Sequence, residues 1–394
     1  MKTVRNAWFS ILVAVGAAAL SLALLGLAPH LARASTHDVP AGGSIQAAVD
    51  GAAPGDTIRV AQGTFDESLV ITKSLTLEGG YADFAAGIRT PRTTVIHPPG
   101  RGISITGSDL QVAVDGFEIA HADAGTSNGG GIYVNVEDDS VVTIHDNFIH
   151  DNRAADGGGI YAGADNRSDL HITSNAVTTN TTGDDYAGIY AAVDLSGTLT
   201  LSDNDIVGNE SGDRYGGLYA SVHSLSRFAI EDNLVMSNTT AVDGSSVPPY
   251  RHYGGLYVRA QYNTHGTFDR NRVIGNYADD YYGGGYVYMG HNASSTFYDN
   301  EFRNNTAHYR DYGGLYLYVN ANSRVTGGAY GYGGGYIHAN YNSSITLPNA
   351  QITGNRSSAD HGGAYFYAYD HATITATHLV VYDNAAVGNY GGVS

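Results

Sequence analysis

The stretch "YGGLYLY", Tyr312–Tyr318, decides the fold. Near-copies stand at Tyr215 ("YGGLYAS"), Tyr253 ("YGGLYVR"), Tyr282 ("YGGGYVY") and Tyr332 ("YGGGYIH"). The second tyrosine of each phrase, with its upstream equivalents, gives one series: Tyr133, Tyr161, Tyr190, Tyr219, Tyr257, Tyr286, Tyr316, Tyr336 and Tyr365. The steps are 28, 29, 29, 38, 29, 30, 20 and 29 residues. A near-constant period marks a stacked repeat, whose units bury their apolar face only against one another. The long step carries "AVDGSSVPPYRH", which has loop chemistry, and the short one has lost part of a repeat near "SRVTGGAYGYG".

Working outward, the residues one and three beyond each tyrosine run from Val134/Val136 through Ala162/Ala164 to Phe366/Ala368, and all eighteen are apolar. Alternation with period two in every copy predicts a strand with one face buried. The tyrosines, and the residues two and four beyond, are then expected to face outward. A second phrase ("DNFIHDN", "SNAVTTN", "DNDIVGN") ends on Asn152, Asn180, Asn209, Asn238, Asn276 and Asn305, with Asn355 and Asn384 later. Each period thus holds three short strands, read in the first copy as "GIYVNV", "SVVTIHD" and "FIHDN". The pattern predicts an all-β, right-handed parallel β-helix with three short strands per coil, the coils roughly 4.8 Å apart. Asparagine repeated at one corner suits a hydrogen-bonded ladder and tolerates left-handed backbone. The glycine pairs are expected where a Cβ would clash in a tight turn.

Three segments follow. Residues 1–34 read as a signal peptide: Lys2 and Arg5, an apolar run from Ala7 to Ala28, then "LARAS" with cleavage after Ala34. The protein is therefore expected to be secreted or held at the cell surface, with no membrane span after cleavage. Residues 35–128 read as an N-terminal cap and irregular first coils, with a short amphipathic helix in "SIQAAVDG" and Ser44 as its N-cap. Residues 129–394 are the regular coils. Ser394 falls where the next tyrosine is due, so the chain is expected to be a fragment without its C-terminal cap, or else to self-associate head to tail. No cysteine is present, so regular burial must stabilise the fold. A net charge of −18 argues against nucleic acid and anionic lipid as partners.

"GDTIRVAQGTFDESLVITKSLTLEGGY" resembles the opening of secreted β-helix proteins of the pectin-lyase-like superfamily. The alternation of "GGIY" with the asparagine phrase is similar to the repeats of polymorphic outer membrane proteins. The resemblance covers nearly all of residues 36 to 394 and implies the fold. It leaves open polysaccharide lyases, hydrolases, tailspikes and adhesins, and contiguous polygalacturonase- or pectate-lyase-type signatures are absent.

Equal positions stack in such a fold, so the nine tyrosines form one outward column. A second column lies four residues earlier: Tyr186, Tyr215, Tyr253, Tyr282, Tyr312, Tyr332 and Tyr390, with His361 among them. A partial third lies two residues after the first: Tyr288, Tyr318 and Tyr367, with Arg259 and His338. One reading is structural, since like residues stack favourably across strands. The other is a rigid aromatic platform, and the resemblance makes a polysaccharide or cell-surface glycan its ligand. The expected function is non-catalytic adhesion or carbohydrate binding through this strip, with a structural stalk or filament subunit as an alternative. A further alternative is a polysaccharide lyase or glycoside hydrolase using Glu137, Asp165 and Asp194, followed by His223 in the same column. Stacked carboxylates repel unless one is protonated or a cation such as Ca²⁺ lies between them. No other cofactor or metal is expected. The N-x-S/T triplets at Asn180 and Asn238 read as by-products of the corner phrase.

Overall fold

The computed structural model describes residues 34–240, 252–308, 313–326, 335–348, 351–353, 356–357, 364–378, 380–383 and 385–386. Residues 1–33 of the segment expected to be a signal peptide (1–34), residues 241–251, and Tyr312, Tyr332, Asn355, His361, Asn384, Tyr390 and Ser394 lie outside them.

One coil consists of strands Ile132–Glu137, Val141–His145, Phe148–His150 and Arg153–Ala154. Each pairs in parallel with its equivalent one coil on: Tyr133 with Tyr161, Val142 with Leu170, Ile149 with Val177, Ala154 with Thr182. Repeated along the chain, this gives sheets of 14, 11, 9 and 8 strands among the described residues, with Gln351–Thr353 and Val380–Tyr382 paired in a further sheet of two. The fold is a parallel β-helix. The three expected strands are present, and a fourth of two residues closes the coil after Asn152. Two residues are too few to show an alternation, so the sequence pattern hides this strand.

The early chain belongs to the same stack. Leu69–Ile71 and Ile103–Ser108 precede Ile132–Glu137 in the tyrosine sheet, paired residue by residue. The expected break at residue 128 therefore marks where the tyrosine repeat begins, while the solenoid itself starts far upstream. A helix spans Ile45–Gly51, where Ser44 Oγ accepts the Ala47 N–H at 3.1 Å and Ile45 and Val49 are buried. Among the described residues, no helix is long and apolar enough to cross a membrane.

Of the eighteen inward positions, sixteen are buried; Phe366 is half-buried and Ala368 exposed. Two asparagine ladders run through the corners instead of one. Asn152, Asn180, Asn209, Asn238, Asn276 and Asn305 are linked amide to amide at 2.9–3.0 Å. Asn147, Asn175, Asn204, Asn233, Asn271 and Asn300 form a parallel ladder at 3.0–3.1 Å. The left-handed backbone falls on the residue before each asparagine, as at Asp151 (φ 52°) and Asp203 (φ 56°), and not on the asparagine itself. At the glycine pairs a Cβ would clash, as expected, but against the next coil and not within a tight turn. Gly159 has no positive φ; a Cβ there would lie 2.6 Å from Gly188 O and 2.5 Å from Val177 Cγ1. The pair lets one coil lie tightly on the next.

Where the repeat is short, the coil that holds Leu315–Val319 contributes no strand to the fourth sheet among the described residues. Thr306–Ala307 in that sheet pairs directly with Arg356–Ser357.

Candidate functional site

The tyrosine column is continuous. Successive rings from Tyr133 to Tyr365 lie 4.3–5.8 Å apart, with interplanar angles of 16° or less. The parallel strands dictate this, because they place Tyr219 opposite Tyr257 and Tyr257 opposite Tyr286. The second column, Tyr186, Tyr215, Tyr253 and Tyr282, stacks at 4.8–4.9 Å. Its rings meet the first column edge-on, as Tyr253 does Tyr257 at 4.9 Å and 78°. Offset stacks and edge contacts are the favoured aromatic geometries.

This corrects the expected flat platform. The faces of the interior rings are covered by the rungs above and below, so no sugar ring can stack on them. Tyr253, Tyr282 and Tyr286 are only 4, 5 and 8 % exposed and form a second apolar cluster outside the sheet, with Tyr215, Tyr257 and Tyr316 packed on it. Burial, and then the neighbouring phenols, push the Tyr186, Tyr190, Tyr215 and Tyr286 hydroxyls to higher pKa. Tyr133 keeps one ring neighbour in the column and takes the Arg101 guanidinium at 4.4 Å from its centroid.

A groove lies beside the column. The outward position two beyond the tyrosines holds Asn135, Gly163, Ala192 and Ser221 in register, then Arg259, Tyr288, Tyr318, His338 and Tyr367. Four small residues followed by bulky ones leave a trough along the helix axis. It is shallow and open, about 230 Å³, and lined further by Asp165, Asp194 and His223. Three coil spacings make it roughly 14 Å long. A Cβ at Gly163 would meet nothing closer than Asn135 Oδ1 at 3.9 Å, so the floor there is open space.

The carboxylates singled out in the sequence have a structural task. Asp165 accepts the N–H of Asn166 and Asp194 that of Leu195, both at 2.7 Å. Asn320 and Asn340 do the same for Ala321 and Tyr341 in later coils. These bonds support a corner of two left-handed residues that follows each tyrosine strand. Asp165 and Asp194 line the groove; Glu137 is exposed and is not among the lining residues. His223 Nε2 lies 3.4 Å from Ser221 Oγ. Burial, and then the charge of Arg259, lower the His223 pKa. Among the described residues no three His, Asp or Glu side chains are placed to hold a metal ion. Asn180 and Asn238 are fully buried, so neither triplet is open to glycosylation in the folded chain.

Residues 90–249 match the family model described as the right handed beta helix region. The coils wind to the right. No curated protein and no solved structure matches the chain. The matched span takes in the whole groove and the start of both tyrosine columns, so the comparison carries the fold and the groove must speak for function.

Proposed function

We propose that this is an exported, non-catalytic β-helix protein that binds a linear polysaccharide lengthwise in the groove on its tyrosine sheet. The observation that carries the reading is the floor column: small at Asn135, Gly163, Ala192 and Ser221, and bulky from Arg259 onward. Small-molecule sites are enclosed and usually exceed about 300 Å³. A shallow trough of about 230 Å³ that follows the fold axis suits a chain lying across successive coils instead. Hydroxyls and amides along the floor and edge supply hydrogen bonds at each step. Tyr133, Tyr161, Tyr190 and Tyr219 stand in the neighbouring outward column, two residues before the floor, and are not themselves among the groove's lining residues. Export to the medium or the cell surface rests on the pattern of residues 1–34.

The lyase or hydrolase reading has weaker support. Asp165 and Asp194 are engaged by backbone N–H groups of their own corner. Glu137 stands apart from the groove lining. A glycan array on residues 35–394, with and without Ca²⁺, tests the proposal. Binding of at least one polysaccharide is expected, without shortening of the bound polymer. Product release from the polymer would establish the enzyme reading, and silence across the array would refute the binding one.

A further inference from the structure

Every described tyrosine strand ends in two left-handed residues. The pairs are Asp138/Asp139, Asn166/Arg167, Leu195/Ser196, Ser224/Leu225, Tyr262/Asn263, His291/Asn292, Ala321/Asn322, Tyr341/Asn342 and Asp370/His371, all with φ between 48 and 72°. Asparagine and aspartate visit this region readily; leucine and tyrosine are strained there. Most pairs contain an Asp or Asn. The two exceptions, Leu195/Ser196 (Leu195 φ 53°) and Ser224/Leu225 (Leu225 φ 68°), lie in successive coils beside the groove, and the next coil places Tyr262 (φ 62°) before Asn263, as Tyr341 (φ 48°) precedes Asn342 further on. The Leu195, Leu225 and Tyr262 side chains are 49, 64 and 46 % exposed. Leu195 and Leu225 thus combine backbone strain with exposed apolar surface, while the Tyr262 ring recovers a contact by stacking on His291 at 4.6 Å; strain kept in this way concentrates at functional sites.

The three residues neighbour the groove's lining residues without being among them. Leu195 follows Asp194, Leu225 lies two beyond His223, and the Tyr262 ring stands edge-on to the His223 ring at 6.1 Å. Asp165 and Asp194 line the trough, and Arg259 at its closed end is the one cation in the floor column. A polyanion lying along the trough would meet both carboxylates. We infer that Leu195, Leu225 and Tyr262 form an apolar rim that selects a neutral polysaccharide bearing acetyl groups, whose methyls pack on the rim while the sugar backbone occupies the groove. The inference rests on the groove reading above and specifies its ligand.

The test uses pairs of neutral glycans that differ in acetylation: an N-acetylglucosamine hexamer against a glucose hexamer, and O-acetylated xylan against the same xylan deacetylated. Polygalacturonate is the anionic control. Leu195→Asn, Leu225→Asn and Tyr262→Asn are combined in one variant, because asparagine suits the left-handed corner and already occupies it in other coils. Calorimetry should show the acetylated member of one pair binding at least tenfold tighter, and which pair responds separates N-acetyl from O-acetyl recognition. The variant should lose that preference, retain weak binding to the unsubstituted glycan, and melt at the same or a higher temperature. Equal binding within both pairs, a preference that survives in the variant, or tighter binding of polygalacturonate overturns the inference while leaving the groove reading intact. A variant that melts lower makes the rim structural and overturns it too. So does a concentration-dependent dimer, seen by sedimentation, that the variant abolishes. Failure of the parent to bind any of these glycans removes the groove reading and the inference together.

Discussion

Replacing Tyr253 with alanine separates a structural tyrosine ladder from a solvent-facing platform. Tyr253 is 4 % exposed, with rings of Tyr215 and Tyr282 stacked on its two faces at 4.9 Å and Tyr257 and Tyr286 edge-on at 4.9 and 5.7 Å. Truncating a buried aromatic side chain costs about 3–5 kcal/mol. Four ring pairs, each worth about 0.5–1.5 kcal/mol beyond burial, put Tyr253→Ala in the upper part of that range. Tyr133→Ala is the internal control. It removes one ring pair at 5.8 Å and one guanidinium contact at 4.4 Å from a half-buried position. Together these are worth about 1–2 kcal/mol. Tyr253→Phe keeps every ring contact and should cost about 1 kcal/mol or less. Equilibrium urea unfolding, followed by far-ultraviolet circular dichroism, measures all three. A cost below about 1 kcal/mol for Tyr253→Ala, or one no larger than that of Tyr133→Ala, would refute the reasoning, because a ring that merely coats the sheet loses little on truncation.

Three more outcomes follow from the same geometry. Asn209→Ala should cost about 3–5 kcal/mol in the same assay. It deletes two bonds donated by Nδ2, to Val177 O and Asn238 Oδ1, and two accepted by Oδ1 from Asn180, leaving the buried Asn180 N–H without its partner. Raising the pH should destabilise the fold between about 10 and 12. Burial first, then neighbouring phenols, raise Tyr336 from 10.0 to about 12, so the unfolded chain ionises before the folded one; stability is full below pH 10 and lost as pH climbs through the folded value. Absorbance of tyrosinate near 295 nm should rise in step with unfolding, whereas ionisation near pH 10 without unfolding would show the rings to be open to water. Asp165→Asn should leave the melting temperature unchanged, since Asn320 and Asn340 accept the same corner N–H in later coils; a large fall would show that the charge itself holds the corner.

Much of this was legible in the sequence, for reasons tied to period. Alternation of period two identifies which residues face inward, and Val134 and Val136 are buried as their spacing requires. Alternation does not say what covers the outer face, so Tyr286 reads as exposed although it is 8 % so. The second ladder was in view as the leading asparagine of "DNFIHDN", Asn147. It went unread because its role depends on a bond to Asn175 in the next coil. The groove is a contrast between coils: Gly163 or Ala192 alone says nothing until the same position is seen to hold Tyr288 and Tyr318 further on. The carboxylates misled for the opposite reason. Glu137, Asp165 and Asp194 share a column, but two of the three serve a left-handed corner whose backbone no residue type announces by itself.

The most direct test of the central claim fills the groove without disturbing the coil. Gly163→Tyr and Ala192→Tyr extend the bulky floor column of Tyr288 and Tyr318 backward through the trough, at outward strand positions where tyrosine is a good strand former. The polysaccharide found on the array is titrated calorimetrically into the parent and the double variant, with melting temperatures measured alongside. Affinity at least tenfold lower in a variant that melts like the parent is the predicted result. Undiminished binding by the filled variant would place the ligand elsewhere and contradict the account.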